Sequence, residues 1–474
     1  MQFRNLTPFP ALAFEGIDQH QQAFHVVVLR QTLSYAGGVL DYADDQAPLC
    51  EVDEFHGEMN ASSLRQESDL CHYKPKCDVL VDGAAHAPGG RPAPRWHARL
   101  QVRAPREAPE VPPPHGLNPL QGPTPEQWAA WRAEVERLRA QASAGAILFD
   151  KTLAVTGPRR LRRGRLGGYV LTEPTPVTVV PLRDELAYGG RCRITADDPA
   201  ASHVPSEVRL SEAERGQHPE APASPIADRV CAANPVGIGF AEGWYLNALK
   251  PGELPAPQIE HPAYPLSAAL LVGGKADAPA LRPWGFGVRP KGHPERVRLA
   301  GTLDAAFAES DRWLPEDFDF AVWNAAWPDQ QIEHLQGDET FLLANMSPPG
   351  SPCVAPDGQG NGVLRLTLPG HECYVLIQMA NGMIAAQPLV IDTVLIEPEH
   401  SRVTLVWRGV LDKTPDAPIA LLEARLRSRE AKAHDNDGRR LDRAASAQRL
   451  TRRILAQALE QASDMRSTKE PAGA

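Results

Sequence analysis

A chain of 474 residues has room for two or three lobes and a large core without disulfide or metal staples. Hydrophobic residues make up 42% and charged residues 23%, while 46 Pro and 37 Gly, spread without a period, point to many turns between short strands. The formal net charge of -10 argues against general nucleic-acid binding, because phosphate contacts need a positive field.

Taken in chain order, the first strand expected is Phe24–Leu33, β-branched and ended by Gly37-Gly38. Asp78–Val81 follows between breakers, and His97–Arg103 alternates apolar with polar residues as a half-buried strand. Residues 104–123 then form a Pro-rich spacer. After it, Thr124-Pro125-Glu126-Gln127 places Thr at N-cap, Pro at N1 and Gln at N3 of a helix. Trp128, Trp131, Val135, Leu138 and Ala142 make one apolar seam along that helix. Two heptads are too few for a self-standing coiled coil, so the seam needs the parent body or a partner to lie on.

Strand patterns resume at Lys151–Thr156 and Val177–Leu182, and between them lies the cationic run Arg159–Arg165. Residues 196–230 read as a long polar loop, and residues 234–300 show little periodicity. Four more strands are expected at Val363–Leu368, Cys373–Met379, Leu389–Glu397 and Val403–Leu411, with Asn381-Gly382 as a type I′ hairpin turn. From 419 to 463 the pattern is helical. Residues 425–453 hold ten Arg or Lys against four acids, which leaves -16 on the rest of the chain. The fold class expected is mainly β, a β-rich α+β protein of short antiparallel strands in packed sheets. Its body spans 1–425 with 104–146 as a helical insertion, and 426–474 forms a basic helical extension.

Chemical motifs are sparse. Gly237-Ile238-Gly239 and Gly285-Phe286-Gly287 continue into no nucleotide loop, and Cys71-His72 with Cys77 lacks a second pair at zinc spacing. Neither a Gly-x-Ser-x-Gly elbow nor a His-Glu-x-x-His helix occurs. Acids gather in Asp317-Phe318-Asp319, Asp329-Gln330-Gln331 and Asp338-Glu339. Paired acids serve acid–base catalysis where their surroundings separate their pKa values, and otherwise cap turns or meet a partner. Seven scattered cysteines fit reduced thiols, and the first residues show no secretion signal, so the chain is expected in the cytoplasm without membrane insertion.

An ordered set of segments carries a family resemblance. It begins with Asp69-Leu70 and Tyr73–Val81, followed by His86–Gly90, Pro181–Gly190 and Asn234–Phe240. Trp284–Gly287, Leu314–Asp319, Trp323–Gln331, Leu335–Glu339, Ile391–Val394 and Val406–Arg408 come later. Together they resemble the family known as domain of unknown function 2169, whose members are associated with type VI secretion loci. The resemblance implies an adaptor or chaperone that binds a secreted toxin (effector) or its PAAR-like tip and helps load it on the spike protein. It implies no catalytic residue, cofactor or metal, and no enzyme. It also marks 104–146 as an insertion between two strands that the family joins almost directly. Partner contact is assigned to Trp128, Trp131, Asp329, Gln330, Gln331, Asp338 and Glu339. The alternatives are a structural component exported with the spike, and a carboxylate-dependent hydrolase using Asp317, Asp319, Asp329 or Glu339.

Overall fold

The computed structural model describes residues 1–59, 61–105, 114, 124–141, 145–216, 225–249, 252–275, 277–301, 305–413 and 418–428. Three sheets dominate, as the alternating patterns predict. The largest has the strand order Ala11–Ile17, Ala23–Ser34, Arg402–Asp412, Val390–Glu397, Cys77–Val81, Gln331–Ile332. Its two long central strands pair antiparallel from Phe24 with Asp412 to Ser34 with Arg402. Val26–Leu29 are fully buried on both faces, which explains an unbroken β-branched run where a one-sided sheet would alternate. Cys77–Val81 runs parallel to Val390–Glu397, the one parallel pairing in this sheet among the described residues.

A six-stranded antiparallel sheet packs on it, in the order Ile259–Glu260, Ile147–Thr156, Arg95–Arg103, Thr340–Ala344, Gly362–Thr367, Val354–Pro356. One hydrophobic core joins the layers. It draws Val27, Leu29 and Val79 from the first sheet, Leu100, Leu153 and Phe341 from the second, and Val375 and Leu422 from a third. A smaller cluster around Leu161, Tyr188, Leu246 and Leu271 centres a second lobe built from residues 161–281. Gly189-Gly190, with φ of 155° and 102°, lies so close to the Asn234–Gly237 turn that a Cβ on either would come within 2.3 Å of its backbone oxygens. Only glycine fits there.

Strands Arg95–Arg103 and Ile147–Thr156 are antiparallel neighbours, and Ala104 N–H donates to Ala146 O at 2.9 Å. Residues 104–146 therefore connect two paired strands, where the resemblance places an insertion. The helix Pro125–Gln141 starts on the capping box read from the sequence. Gln127 N–H donates to Thr124 Oγ1 at 3.3 Å, and Gln127 Oε1 accepts from Thr124 N–H at 2.8 Å.

Three expectations need correction. Ile419–Ser428 is a strand, not the start of a helix. It lies between Gln2–Asn5 and His371–Met379 in a four-stranded sheet that continues to Ile384–Pro388. Its Leu, Ala, Glu and Arg residues favour helix locally, but two flanking strands outweigh that weak preference. The rest of the helical expectation, from 429 onward, lies outside the described residues. The long loop at 196–230 contains the strand Pro225–Val230, paired with Arg191–Thr195, whose Arg191 and Arg193 share Asp228. The cationic run is built into a sheet, because Arg159–Arg163 pairs on both sides and buried Arg159 meets Glu260 at 2.7 Å. At Asn381-Gly382 a hairpin does form, but only Gly382 has positive φ, so the turn is not type I′. Asn381 Oδ1 instead accepts Met383 N–H at 3.0 Å and widens the loop.

Candidate functional site

One carboxylate of the largest sheet gathers several donors of the segment 323–331. Asp78, with 0% exposure, accepts from Asn324 Nδ2 at 3.0 Å, Ala325 N–H at 2.8 Å and Ala326 N–H at 3.2 Å. Lys74 Nζ completes its shell at 2.8 Å. Beyond this clamp Pro328–Gln330 makes a 3-10 turn. The turn leaves Asp329 exposed and drives Gln330 into the interior, where its Nε2 donates to Val79 O at 2.9 Å.

Gln330 and Asp329 converge on a lysine. Lys151 occupies an inward position of Ile147–Thr156, in register with Phe149, Leu153 and Val155. Its Nζ donates to Gln330 Oε1 at 2.7 Å and to Asp329 Oδ1 at 3.1 Å, and lies 4.2 Å from the Trp284 ring centroid. Trp284 is held in turn by its Nε1–H donating to Thr152 O at 3.0 Å, and the His261 ring packs 4.4 Å away. Burial lowers the Lys151 ammonium to about 8, against an opposing pull from Asp329. Burial raises the carboxyl of Asp184, which is 8% exposed, to about 7, and Glu185 adds to the rise while Lys151 opposes it. An amine and a carboxyl that feel each other's charge thus both exchange protons near neutral pH, a property found more often at functional sites than elsewhere.

The chain just before this segment contributes an aromatic face. Phe318 and Phe320 meet edge-on at 5.2 Å, and Phe320 touches Tyr73 at 5.9 Å and Phe24 at 6.3 Å. His72 joins them to Trp323 at 5.9 Å. Trp313 stands close by in sequence, 77% exposed. Exposed acids Glu309, Asp311, Glu316, Asp317 and Asp319 surround these rings along the chain. Asp319 also caps the turn Phe320–Trp323 by accepting Ala321 N–H at 2.8 Å.

The residues assigned to partner contact separate into different settings. Asp329 is exposed and belongs to the Lys151 cluster. Gln330 does not reach the surface, because its amide bonds Val79 and Lys151, and half-buried Gln331 ties back to Ala326 O at 2.9 Å. Glu339 is likewise interior. It accepts Gln336 N–H at 2.7 Å and Gly337 N–H at 3.0 Å, closing its own turn, and burial raises its carboxyl pKa. Asp338 is half-buried beside it. Trp128 and Trp131 are half-buried and stack edge-to-face on each other at 5.6 Å. Sequence reasoning missed Lys151, Asp184, Trp284 and His261. One signal was available: a lysine at an inward position of an alternating strand breaks the binary pattern, and such breaks concentrate at functional or strained positions.

Cys71 and Cys77 are buried, and burial raises both thiols, so neither is a poised thiolate. Among the described residues no group of three or more His, Cys, Asp or Glu is arranged to hold a metal ion. None of their helices is long and apolar enough to cross a membrane.

The fold and this cluster define a strand-rich protein of packed, mostly antiparallel sheets with a buried lysine at their junction with an aromatic segment. The chain belongs to the bacterial family described as "Uncharacterized protein conserved in bacteria (DUF2169)", which matches residues 20–111 and 125–408. The match omits only 112–124 internally, so the helix Pro125–Gln141 falls within the matched residues, and the unmatched gap is shorter than the insertion expected at 104–146. Comparison with curated proteins and with solved structures returned no match.

Proposed function

We propose that this protein is a cytoplasmic adaptor of a type VI secretion system that binds a secreted effector or its PAAR-like tip and helps load it on the spike protein, without turnover. The type VI setting rests on the family resemblance. The observation that carries the binding role is the aromatic face of Tyr73, Phe318 and Phe320, adjoined in sequence by Trp313, 77% exposed, and by the exposed acids Asp317 and Asp319. Tryptophan is enriched among binding hot spots, and acids beside open rings favour a partner segment with Lys or Arg.

Deleting the gene is expected to stop delivery of one toxin while general secretion continues. If all secretion stops, the protein is a core component of the machine. Trp313→Ala with Tyr73→Ala is expected to weaken capture of that toxin, in co-purification from the native host, at least tenfold while the melting temperature stays within about 2 °C. Undiminished capture by this variant removes the aromatic face from the proposal. The second reading, a carboxylate-dependent hydrolase, is favoured by the two carboxyls, Asp184 and Asp329, that interact with the Lys151 amine. Normal toxin delivery by an Asp184→Asn, Asp329→Asn variant supports the adaptor, whereas a lost hydrolytic turnover supports the enzyme.

A further inference from the structure

Arg159–Arg163, Tyr169–Leu171 and Leu254–Ala256 make a three-stranded sheet on the second lobe. One face of it is taken up by packing. Leu161 is buried in the core of that lobe, and Leu171 and Leu254, its partners on the two neighbouring strands, pack there too. Alternation along the strand then sends Arg160 and Arg162 to the other face. Arg162 stands opposite Val170, which is 42% exposed. Arg160 lies between Pro255 and Thr172, whose Oγ1 accepts the Arg160 N–H at 2.9 Å. The turn that closes the hairpin adds Arg165 and Leu166, both exposed.

These cations are left almost uncompensated. Residues 157–172 hold five arginines and no acid. Buried Arg159 is matched by Glu260 at 2.7 Å, whereas exposed Arg160 has only Glu253, at 3.8 Å. Arg163 lies over the Tyr169 ring at 5.7 Å. Exposed Arg162, Arg163 and Arg165 form no ion pair with a carboxylate among the described residues. On a chain of net charge -10, one hairpin therefore carries a local field of reversed sign.

A pocket of about 210 Å³ opens on the same face, lined by Arg160, Thr172, Thr175, Ile238 and Pro255 among others. It is smaller than the roughly 300–1,000 Å³ of sites that enclose a small molecule, and suits a single side chain. A nucleic acid or an anionic membrane would meet the repulsion of the whole acidic chain, and neither has a side chain to seat. A short protein segment meets the hairpin alone.

We propose that this hairpin face docks an acidic segment of a protein partner, whose carboxylates pair with Arg160, Arg162 and Arg165 while one of its uncharged side chains enters the pocket. Guanidinium groups grip carboxylates through paired hydrogen bonds, which adds geometric selectivity to the attraction. The surface is separate from the aromatic face and opposite to it in charge. It goes beyond the adaptor reading and does not rest on it.

Random dodecapeptides displayed on phage and selected on the full-length protein test it. Enriched peptides are expected to be rich in Asp and Glu around one uncharged residue. Raising NaCl from about 50 to about 300 mM is expected to weaken them several-fold, because exposed charges are screened. Arg162→Glu combined with Arg165→Glu changes only exposed side chains, so the melting temperature should hold while peptide affinity falls about tenfold. Thr175→Trp, at an exposed position, is expected to fill the pocket and weaken the same peptides. The proposal is overturned if no acidic peptide is enriched, or if either variant binds the enriched peptides as the parent does. It is overturned as well if phosphatidylserine vesicles or a short single-stranded DNA bind through Arg162 and Arg165 more tightly than any enriched peptide.

Discussion

Asp78→Ala is expected to cost this protein most of its stability. The carboxylate is fully buried, and it is the common acceptor for Lys74, Asn324 and the N–H groups of Ala325 and Ala326. Removing one member of a buried ion pair costs about 3–5 kcal/mol, because the partner stays behind as an uncompensated charge. Orphaned buried donors add about 1–3 kcal/mol each. Against a typical stability of roughly 5–15 kcal/mol, that loss leaves little soluble protein at 37 °C. Lys74→Met added to Asp78→Ala is expected to recover part of the loss, since the stranded ammonium goes with it. Urea denaturation of the single and double variants decides the matter. A single variant that melts within a few degrees of the parent would show that the clamp on residues 324–326 is not what holds this segment. Together with the Gln330 bond to Val79 O and the pairing of Gln331 with Asp78, this clamp holds the segment that carries both Trp323 and Asp329, so loss of partner capture would accompany loss of fold.

Asp184→Asn is expected to stabilise the protein, and by an amount that depends on pH. The Asp184 carboxyl has a pKa raised to about 7 in the folded state, first by burial and then by Glu185, against 3.8 for the free group. Between these values the folded state holds the extra proton, so stability falls as pH rises from about 4 to about 7. Above pH 7 the full penalty of a buried charge is present. Three pKa units correspond to at most roughly 4 kcal/mol, and an asparagine, which never ionises, escapes that cost. The gain from the substitution is therefore small at pH 4.5 and largest at pH 8. Lys151 acts in a different window. Its pKa is lowered to about 8, so its effect on stability changes above pH 8, where the unfolded state holds more protons and stability rises with pH. Urea midpoints of parent and variant at pH 4.5, 6 and 8 follow Asp184 alone, because they stop short of the Lys151 window. A gain of equal size at all three pH values would mean that Asp184 stays ionised throughout, and the proton-exchanging pair with Lys151 would not exist.

What the sequence determined by itself was local. The β-branched run at Phe24–Leu33 could be little else but a buried strand, and the structure extends it by one residue at each end, to Ala23–Ser34. The Thr124–Gln127 capping box fixed a helix start, because both of its hydrogen bonds lie within four residues. The ordered blocks from Asp69 to Arg408 carried the family, since order along a chain survives without any knowledge of contacts. Tertiary structure decided everything that depends on a distant neighbour. Ile419–Ser428 reads as helix until Gln2–Asn5 and His371–Met379 are placed on either side of it. Asp329-Gln330-Gln331 reads as one polar turn, yet it divides into an exposed carboxylate, a buried amide and a half-buried one, because Lys151, 178 residues away from Asp329, draws the turn inward. Lys151 lies in no motif, and Asp184 lies in the Pro181–Gly190 block with nothing there to mark its protonation. Their pKa values come from being removed from water, and burial is a property of the packed sheets rather than of any stretch of sequence.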